Sequence, residues 1–480
     1  MAKRGKRRRK PLSTRRSISK IRDEIEEAMV LVEEEGYGAA WTQLLQLTRK
    51  YPRNQEVLLA VLELAQTTQD WPAYAYYGEQ LFPLERGEYR AQTLYNMIWA
   101  FLQLGYPAVA WQYAKELMTK HPNFEYIAQA RRIHQTAEEL LTQEAETLFE
   151  TESLSLAERF EVMVHHDRVR FYTESNHPEE AINAAKGVLK KMPDLAPVLN
   201  NLSLAYFTQG KVDEAIATAE KVLTKEADNI HALGNLVRYR FLTAQFEAAQ
   251  TAANQLLASE SDSPDVGMKR AEAFSYLGND EEVWAAYERA VEQDEVQPPI
   301  LLHLAAVASY RMGNEARAWG LWEEALEIAP GFPLAARCLQ DKHLPIGLRD
   351  VPWYWPFDYW VPANMIELLN KHLRSLPEGA GEEAVEQAME ALLAEVPYLQ
   401  SLLPHILERG DEVSRDFVVH MIQVMETPEM LQMLYDFGCG RWGRDEQRVE
   451  AMQFISQMHT AMLPDDKMVL INIKITEFSK

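Results

Sequence analysis

Small and turn-forming positions recur along this chain with a beat close to 34 residues. Ala181, Ala215, Ala249, Val283 and Ala318 follow one another at intervals of 34, 34, 34 and 35 residues. Five residues before each stands a turn column, Asn176, Gly210, Ala244, Gly278 and Gly313, and a later column reads Pro193, Ala227 and Pro330. A small side chain lets two antiparallel helices approach closely, Gly or Asn accepts the backbone of a tight helix end, and Pro cannot continue a helix. The pattern therefore predicts units of helix, turn and helix.

The register extends backward. In Tyr95–Pro122, Phe101, Gly105, Ala110 and Pro122 fill the aromatic, turn, small and stop columns, and two weaker copies end at Pro52 and Pro83. Segment 195–228, LAPVLNNLSLAYFTQGKVDEAIATAEKVLTKEAD, resembles the tetratricopeptide repeat family, and the resemblance covers about residues 20–330. It implies an all-α solenoid of roughly eight helix-turn-helix repeats, in a first run at 20–122 (about three) and a second at 161–330 (about five). Between the runs, 123–160 reads as a long connecting helix with apolar positions Ile127, Ala130, Ile133, Ala137, Leu140 and Leu141. Arg168, Arg240 and Arg270 stand where the family usually places apolar or aromatic residues.

After Pro330 the beat stops. Segment 331–363 contains PIGLRDVPWYWPFDYWVP, whose proline density is incompatible with a regular helix. Its rings, Trp353, Trp355, Phe357 and Trp360 among them, suit either a cap over the apolar end of a solenoid or a ligand-facing aromatic platform. Residues 364–463 return to helical periodicity and loosely resemble HEAT or armadillo pairs, while 464–480 alternates Val469, Ile471, Ile473 and Ile475 with other residues, the pattern of a β-strand.

Charge divides the chain. Residues 1–22 hold eleven Lys or Arg and no acid, which leaves 38 bases against 72 acids in the remainder, a balance of −34. Residues 1–19, including Lys3, Arg4, Lys6, Arg7, Arg8, Arg9 and Lys10, read as a basic disordered arm. The arm suits a solvated tail, a targeting signal or a contact with nucleic acid, whereas the acidic body repels phosphates. No apolar run approaches the ~20 residues of a membrane helix, and Cys338 and Cys439 cannot frame a disulfide scaffold, so a cytoplasmic setting is expected.

Catalytic signatures are sparse. Gly438, Gly440 and Gly443 spell G-x-G-x-x-G, but the preceding segment is helical in pattern rather than the strand that this fingerprint needs. The consecutive His165, His166 and Asp167 point in different directions on a helix and cannot share one metal ion. No cofactor, metal or enzymatic role is expected, with a site hidden in 364–480 as a remote alternative.

A groove is expected instead. The resemblance implies that first helices line a concave surface, where Asn96, Asn201 and Asn235 align in one column, with His166, Arg170, Arg238 and Lys269 beside them. Amides pair with peptide backbone, and the cations favour an acidic or carboxylate-bearing ligand. The expected function is a non-catalytic scaffold or adaptor that captures a partner protein's peptide. The alternative is an RNA- or ribosome-associated adaptor using the basic arm.

Overall fold

The computed structural model describes residues 12–34, 36–148, 154–294, 296–361, 363–374, 376 and 381–457. The arm residues Lys3 to Lys10 and the strand expected at 464–480 lie outside them. Helices dominate; among the described residues the β-type pairing is a single bridge between Trp355 and Gly410. No described helix is long and apolar enough to cross a membrane. The chain divides into two compact units, 1–201 and 202–480.

Unit 1 comprises α1 (Leu12–Glu34), α2 (Tyr37–Lys50), α3 (Gln55–Thr68), α4 (Trp71–Leu81), α5 (Gly87–Gln103), α6 (Pro107–Lys120), α7 (Ile127–Leu148), α8 (Leu156–Glu174), α9 (Pro178–Leu189) and the start of α10 (Ala196–Thr208). Helix α1 begins inside the segment expected as an arm, and the connecting segment 123–160 holds α7 and the first turn of α8. The start of α8 has a sequence cause: Ser155 caps it in a reciprocal capping box with Glu158.

Unit 2 continues with α11 (Val212–Leu223), α12 (Ile230–Leu242), α13 (Phe246–Ala258), α14 (Val266–Leu277), α15 (Asp280–Gln293), α16 (Pro299–Arg311), α17 (Glu315–Ile328) and α18 (Pro333–Gln340). A single helical turn, α19 (Phe357–Trp360), fits between prolines in the segment expected to exclude helix. Then come α20 (Ala363–Arg374), α21 (Glu382–Glu395), α22 (Leu399–Arg409), α23 (Glu412–Met425), α24 (Pro428–Cys439) and α25 (Asp445–Gln457).

The turn column ends the first helix of each hairpin by one device. Asn176, Gly210, Ala244, Gly278 and Gly313 all have positive φ, as does Gly105. In each case the next amide reaches back to the carbonyl five residues earlier: His177 to Tyr172, Lys211 to Tyr206, Gln245 to Arg240, Asn279 to Phe274, Asn314 to Ser309 and Tyr106 to Phe101. This is the Schellman closure, in which a left-handed residue lets the chain satisfy otherwise orphaned carbonyls. The small column is fully buried, with Ala110, Ala181, Ala215, Ala249, Val283 and Ala318 all inaccessible to solvent.

The three arginines that depart from the family pattern are absorbed by polar partners. Arg168 reaches Glu79, which also accepts hydrogen bonds from Tyr113 and Tyr172. Arg240 donates to Glu220 and to the Ala248 carbonyl. Arg270 donates to the carbonyls of Leu256, Leu257 and Ser259, satisfying the C-terminal end of α13.

In unit 2 the Pro/aromatic segment lies against the first helices of the hairpins. Trp355 stacks on Tyr276 of α14 at 5.3 Å and donates its indole N–H to Ser275. Trp360 meets Phe241 of α12 and donates to the Trp355 carbonyl. On α16, His303 accepts at Nδ1 from the Trp322 indole, so its proton sits on Nε2 and is donated to the Tyr354 carbonyl at 3.0 Å. Tyr354 donates to Asp280 and, through its amide, to the Arg409 carbonyl.

Helices α22 and α23 close over this segment with two buried cations. Arg409, 1% exposed, donates to the Tyr276 carbonyl at 2.5 Å, in space left by Gly278, whose added Cβ would lie 2.5 Å from the guanidinium. Arg415, fully buried, donates to the carbonyl and carboxylate of Asp350 and to the Leu407 carbonyl. Trp353, Trp355 and Trp360 are thus buried and Phe357 is partly buried against the same core, so these rings are not presented to solvent as a platform.

Two outcomes follow from these contacts. Ala244 holds a left-handed backbone that costs an L-residue roughly 1–2 kcal/mol, partly returned as the greater chain entropy that Gly loses on folding. Ala244→Gly is therefore expected to raise urea-unfolding stability by up to about 1 kcal/mol, while Gly210→Ala lowers it; a loss in Ala244→Gly contradicts the turn assignment. Burial, reinforced by Arg337, pushes the His303 imidazole down to about 4. A base depressed on folding contributes stability that is complete above its ordinary value near 6.5 and is lost as pH falls toward 4. Imidazole 15N NMR should report a neutral Nε2–H tautomer for His303 at pH 5; titration near 6.5 contradicts the assignment.

Candidate functional site

The residues expected to line a groove fall into local groups. In unit 2, Asn235 and Arg238 lie on α12, and Lys269 lies on α14 with its stem against Gly234 of α12. Asn235 donates to the Ser203 hydroxyl at 3.1 Å. Lys269 pairs with Glu272 at 2.9 Å, one turn along its own helix. Burial alone would raise the Glu272 carboxyl, but Lys269 and Arg238 more than offset it and hold the group below its usual range.

Arg238 sits between rings, 5.9 Å from the Phe207 centroid and 5.6 Å from that of Tyr359. Its Nε is buried without a hydrogen-bond partner among the described residues. Tyr359 belongs to the chain's own Pro/aromatic segment, so part of this first-helix face is already covered from within unit 2. Chemically, the group offers amide and guanidinium donors around one carboxylate, an arrangement suited to holding a polar backbone or an anionic side chain.

In unit 1, His166 and Arg170 are one turn apart on α8. Burial, with Arg170 adding repulsion, pushes His166 down to about 4 and keeps it neutral at physiological pH. Arg170 lies 5.3 Å from the Tyr106 ring and 3.5 Å from Glu174. Next to them, the Asp167 carboxylate accepts from the Ala108 amide at 2.9 Å, near the start of α6, and burial raises it to about 7. The Asp167 contact ties α8 to α6, a packing role in keeping with three consecutive residues that cannot share one metal ion.

Asn96 engages α4 instead, donating to the Tyr74 hydroxyl and accepting from Gln92, each at 2.9 Å. Asn201 donates to the Pro197 carbonyl at 3.0 Å within its own helix. The three asparagines therefore use at least one amide N–H each on intramolecular partners. The glycine string at 438–443 begins inside α24, where a Cβ on Gly438 would meet Met452 of α25; its first glycine serves helix packing.

Sequence reasoning missed the polar residues that close this face, Ser275, Asp280, His303, Arg409 and Arg415. Their partners lie far away in sequence, and no spacing advertises them. It also passed over Tyr89, Gln92 and Trp99, which with Asn96 recur at three- and four-residue steps on the solvent side of α5, a signal readable from sequence alone.

Comparison with known proteins bears on this architecture. A family model described as tetratricopeptide repeat matches residues 206–273. Among solved structures, a tetratricopeptide repeat protein from Parabacteroides merdae aligns at 14% identity over 67% of this chain and 97% of its own, with a TM-score of 0.34. The MamA protein aligns at 21% identity over 35% of this chain and 90% of its own, with a TM-score of 0.26. The TPR2AB domain of yeast Sti1, solved in its pHSP90 complex, aligns at 15% identity over 57% of this chain and 98% of its own, with a TM-score of 0.21. No curated protein matches the chain in sequence. The matched segment spans α11 to α13 and most of α14, the hairpins built on the columns of small and turn residues, and the chain is thus one that carries tetratricopeptide repeats.

Proposed function

We propose that this protein is a non-catalytic interaction scaffold that holds a peptide segment of a partner protein against its first helices, in a cytoplasmic setting. The observation that carries the reading is the Arg238, Lys269 and Glu272 group. It places two cations around one acid on adjacent first helices, and Arg238 keeps a buried Nε without a partner among the described residues. A carboxylate or backbone carbonyl from a peptide would pair with the partly exposed Lys269 ammonium or the outer guanidinium nitrogens of Arg238. Asn235 would contribute an amide in unit 2; within unit 1, Asn96, Asn201, His166 and Arg170 would offer separate polar groups. Among the comparison structures, the yeast Sti1 domain is in complex with pHSP90; peptide capture of that general kind is the mode proposed here.

The competing reading is an RNA-associated adaptor, favoured by the eleven bases in residues 1–22. Charge-driven RNA binding falls steeply with salt and depends on the arm. Affinity capture from nuclease-treated lysate separates the two, using the full chain, a deletion of residues 1–22, and Arg170→Glu with Arg238→Gln, each checked by circular dichroism. The scaffold reading expects a protein that survives nuclease and deletion of the arm and is lost with the paired substitutions. Capture that tracks the arm and RNA contradicts it.

A further inference from the structure

The first-helix face of unit 2 is covered in part by the chain itself, whereas α5 of unit 1 leaves a row of large rings in solvent. Tyr89 is 79% exposed, Trp99 41% and Tyr126, at the end of the 121–126 turn, 39%. Scattered apolar side chains need no explanation, but clustered and ordered aromatics mark contact surfaces. Trp99 and Tyr126 are ordered: Tyr95 stacks on Tyr126 at 5.1 Å with planes 20° apart, meets Trp99 edge-on at 6.4 Å and lies 5.8 Å from Phe124. Its hydroxyl donates to Gln129 of α7, which fixes the ring. A partner would therefore lose little side-chain entropy on docking here.

The polar groups beside the rings are also placed. Gln92 donates to Asn96, and Asn96 donates to Tyr74, so the Gln92 amide is held while keeping its carbonyl and one N–H for another partner. That pair matches the N–H and C=O of an extended peptide. Arg131 and Arg132, both exposed on the first turns of α7, make no ion pair among the described residues. Glu88 and Glu125 are exposed near the rings, so the favoured position for acid in a ligand is beside the two arginines.

Unit 2 supplies the chemical precedent for the occupant. Its covering segment is non-helical over 351–356, rich in Pro and aromatic residues, and bound through a ring stacked on a first-helix tyrosine, an indole donating to a first-helix hydroxyl and a backbone carbonyl accepting from a first-helix side chain. Helix α5 and its neighbouring turn offer the same kinds of group to solvent. We propose that the solvent face of α5 with the 121–126 turn docks an extended, acidic, Pro- and aromatic-bearing peptide segment of a partner protein. The proposal rests on the scaffold reading and assigns it a place in unit 1.

The test uses the full chain and a fluorescein-labelled peptide of residues 350–361, DVPWYWPFDYWV, which carries two prolines, six aromatic residues and two acids. Fluorescence anisotropy should give saturable binding. It should weaken at least tenfold in Trp99→Ala with Tyr126→Ala, and severalfold in Arg131→Gln with Arg132→Gln or when both peptide aspartates become lysine. Circular dichroism and the unfolding midpoint confirm that the variants fold, since the substituted side chains are solvent-exposed. Absence of binding, or binding indifferent to Trp99 and Tyr126, including exchange into the covered face of unit 2, overturns the proposal. If the partner captured from lysate survives these substitutions, the assigned location fails while the scaffold reading stands.

Discussion

Unit 2 depends on burial of three indoles, Trp353, Trp355 and Trp360, against helices that in an uncovered repeat would face solvent. Aromatic burial supplies the bulk attraction, and directional bonds then fix where each ring lies. Three polar groups carried inward find specific partners: the Trp355 indole at Ser275, the Trp360 indole at a main-chain carbonyl, and the Tyr354 hydroxyl at Asp280. Without those bonds the same burial would strand polar groups in a low-dielectric interior, at a cost comparable to what the rings gain. The buried Arg409 and Arg415 follow the same logic in part: main-chain carbonyls and Asp350 take several of their N–H groups, while burial still holds both guanidinium pKa values below the usual arginine range.

That arrangement changes the functional reading of the repeat. A first-helix face is the natural place for a repeat protein to hold a ligand, yet in unit 2 much of it is committed to the chain's own segment. Arg238 shows the consequence directly, because the guanidinium expected to meet a ligand lies beside Tyr359. Solvent-facing surface remains where the first helix carries rings outward, as α5 does, and at the polar edge around Lys269 and Glu272. Function is then decided less by the repeat than by which faces the rest of the chain leaves open.

Much of the fold was legible because its signals are local and periodic. Turn positions such as Gly210 and Asn176 can be read from sequence since the left-handed backbone they adopt restricts residue choice, and buried Ala215 or Ala249 since two helices must approach closely there. Ala244 was assigned from register alone, against its own preference. The covered face was illegible because it joins residues such as Ser275 and Trp355, 80 positions apart, through contacts with no characteristic spacing. The partners of Arg168 and Arg270 were illegible for a related reason: a distant carboxylate and helix-end carbonyls satisfy them, and no spacing announces either. The residue types proposed for binding could be named from their columns, while the intramolecular partners that several of them engage could not.

Hydrogen exchange measured by mass spectrometry on the intact protein tests the central claim most directly, because amide protection reports whether a segment opens independently of the helices beneath it. Peptides covering 351–361 should exchange as slowly as those of α14 and α16, and Trp355→Ala should accelerate exchange in the segment and in both helices together. Exchange of 351–361 on the timescale of an exposed loop, with α14 and α16 still protected, would contradict the account.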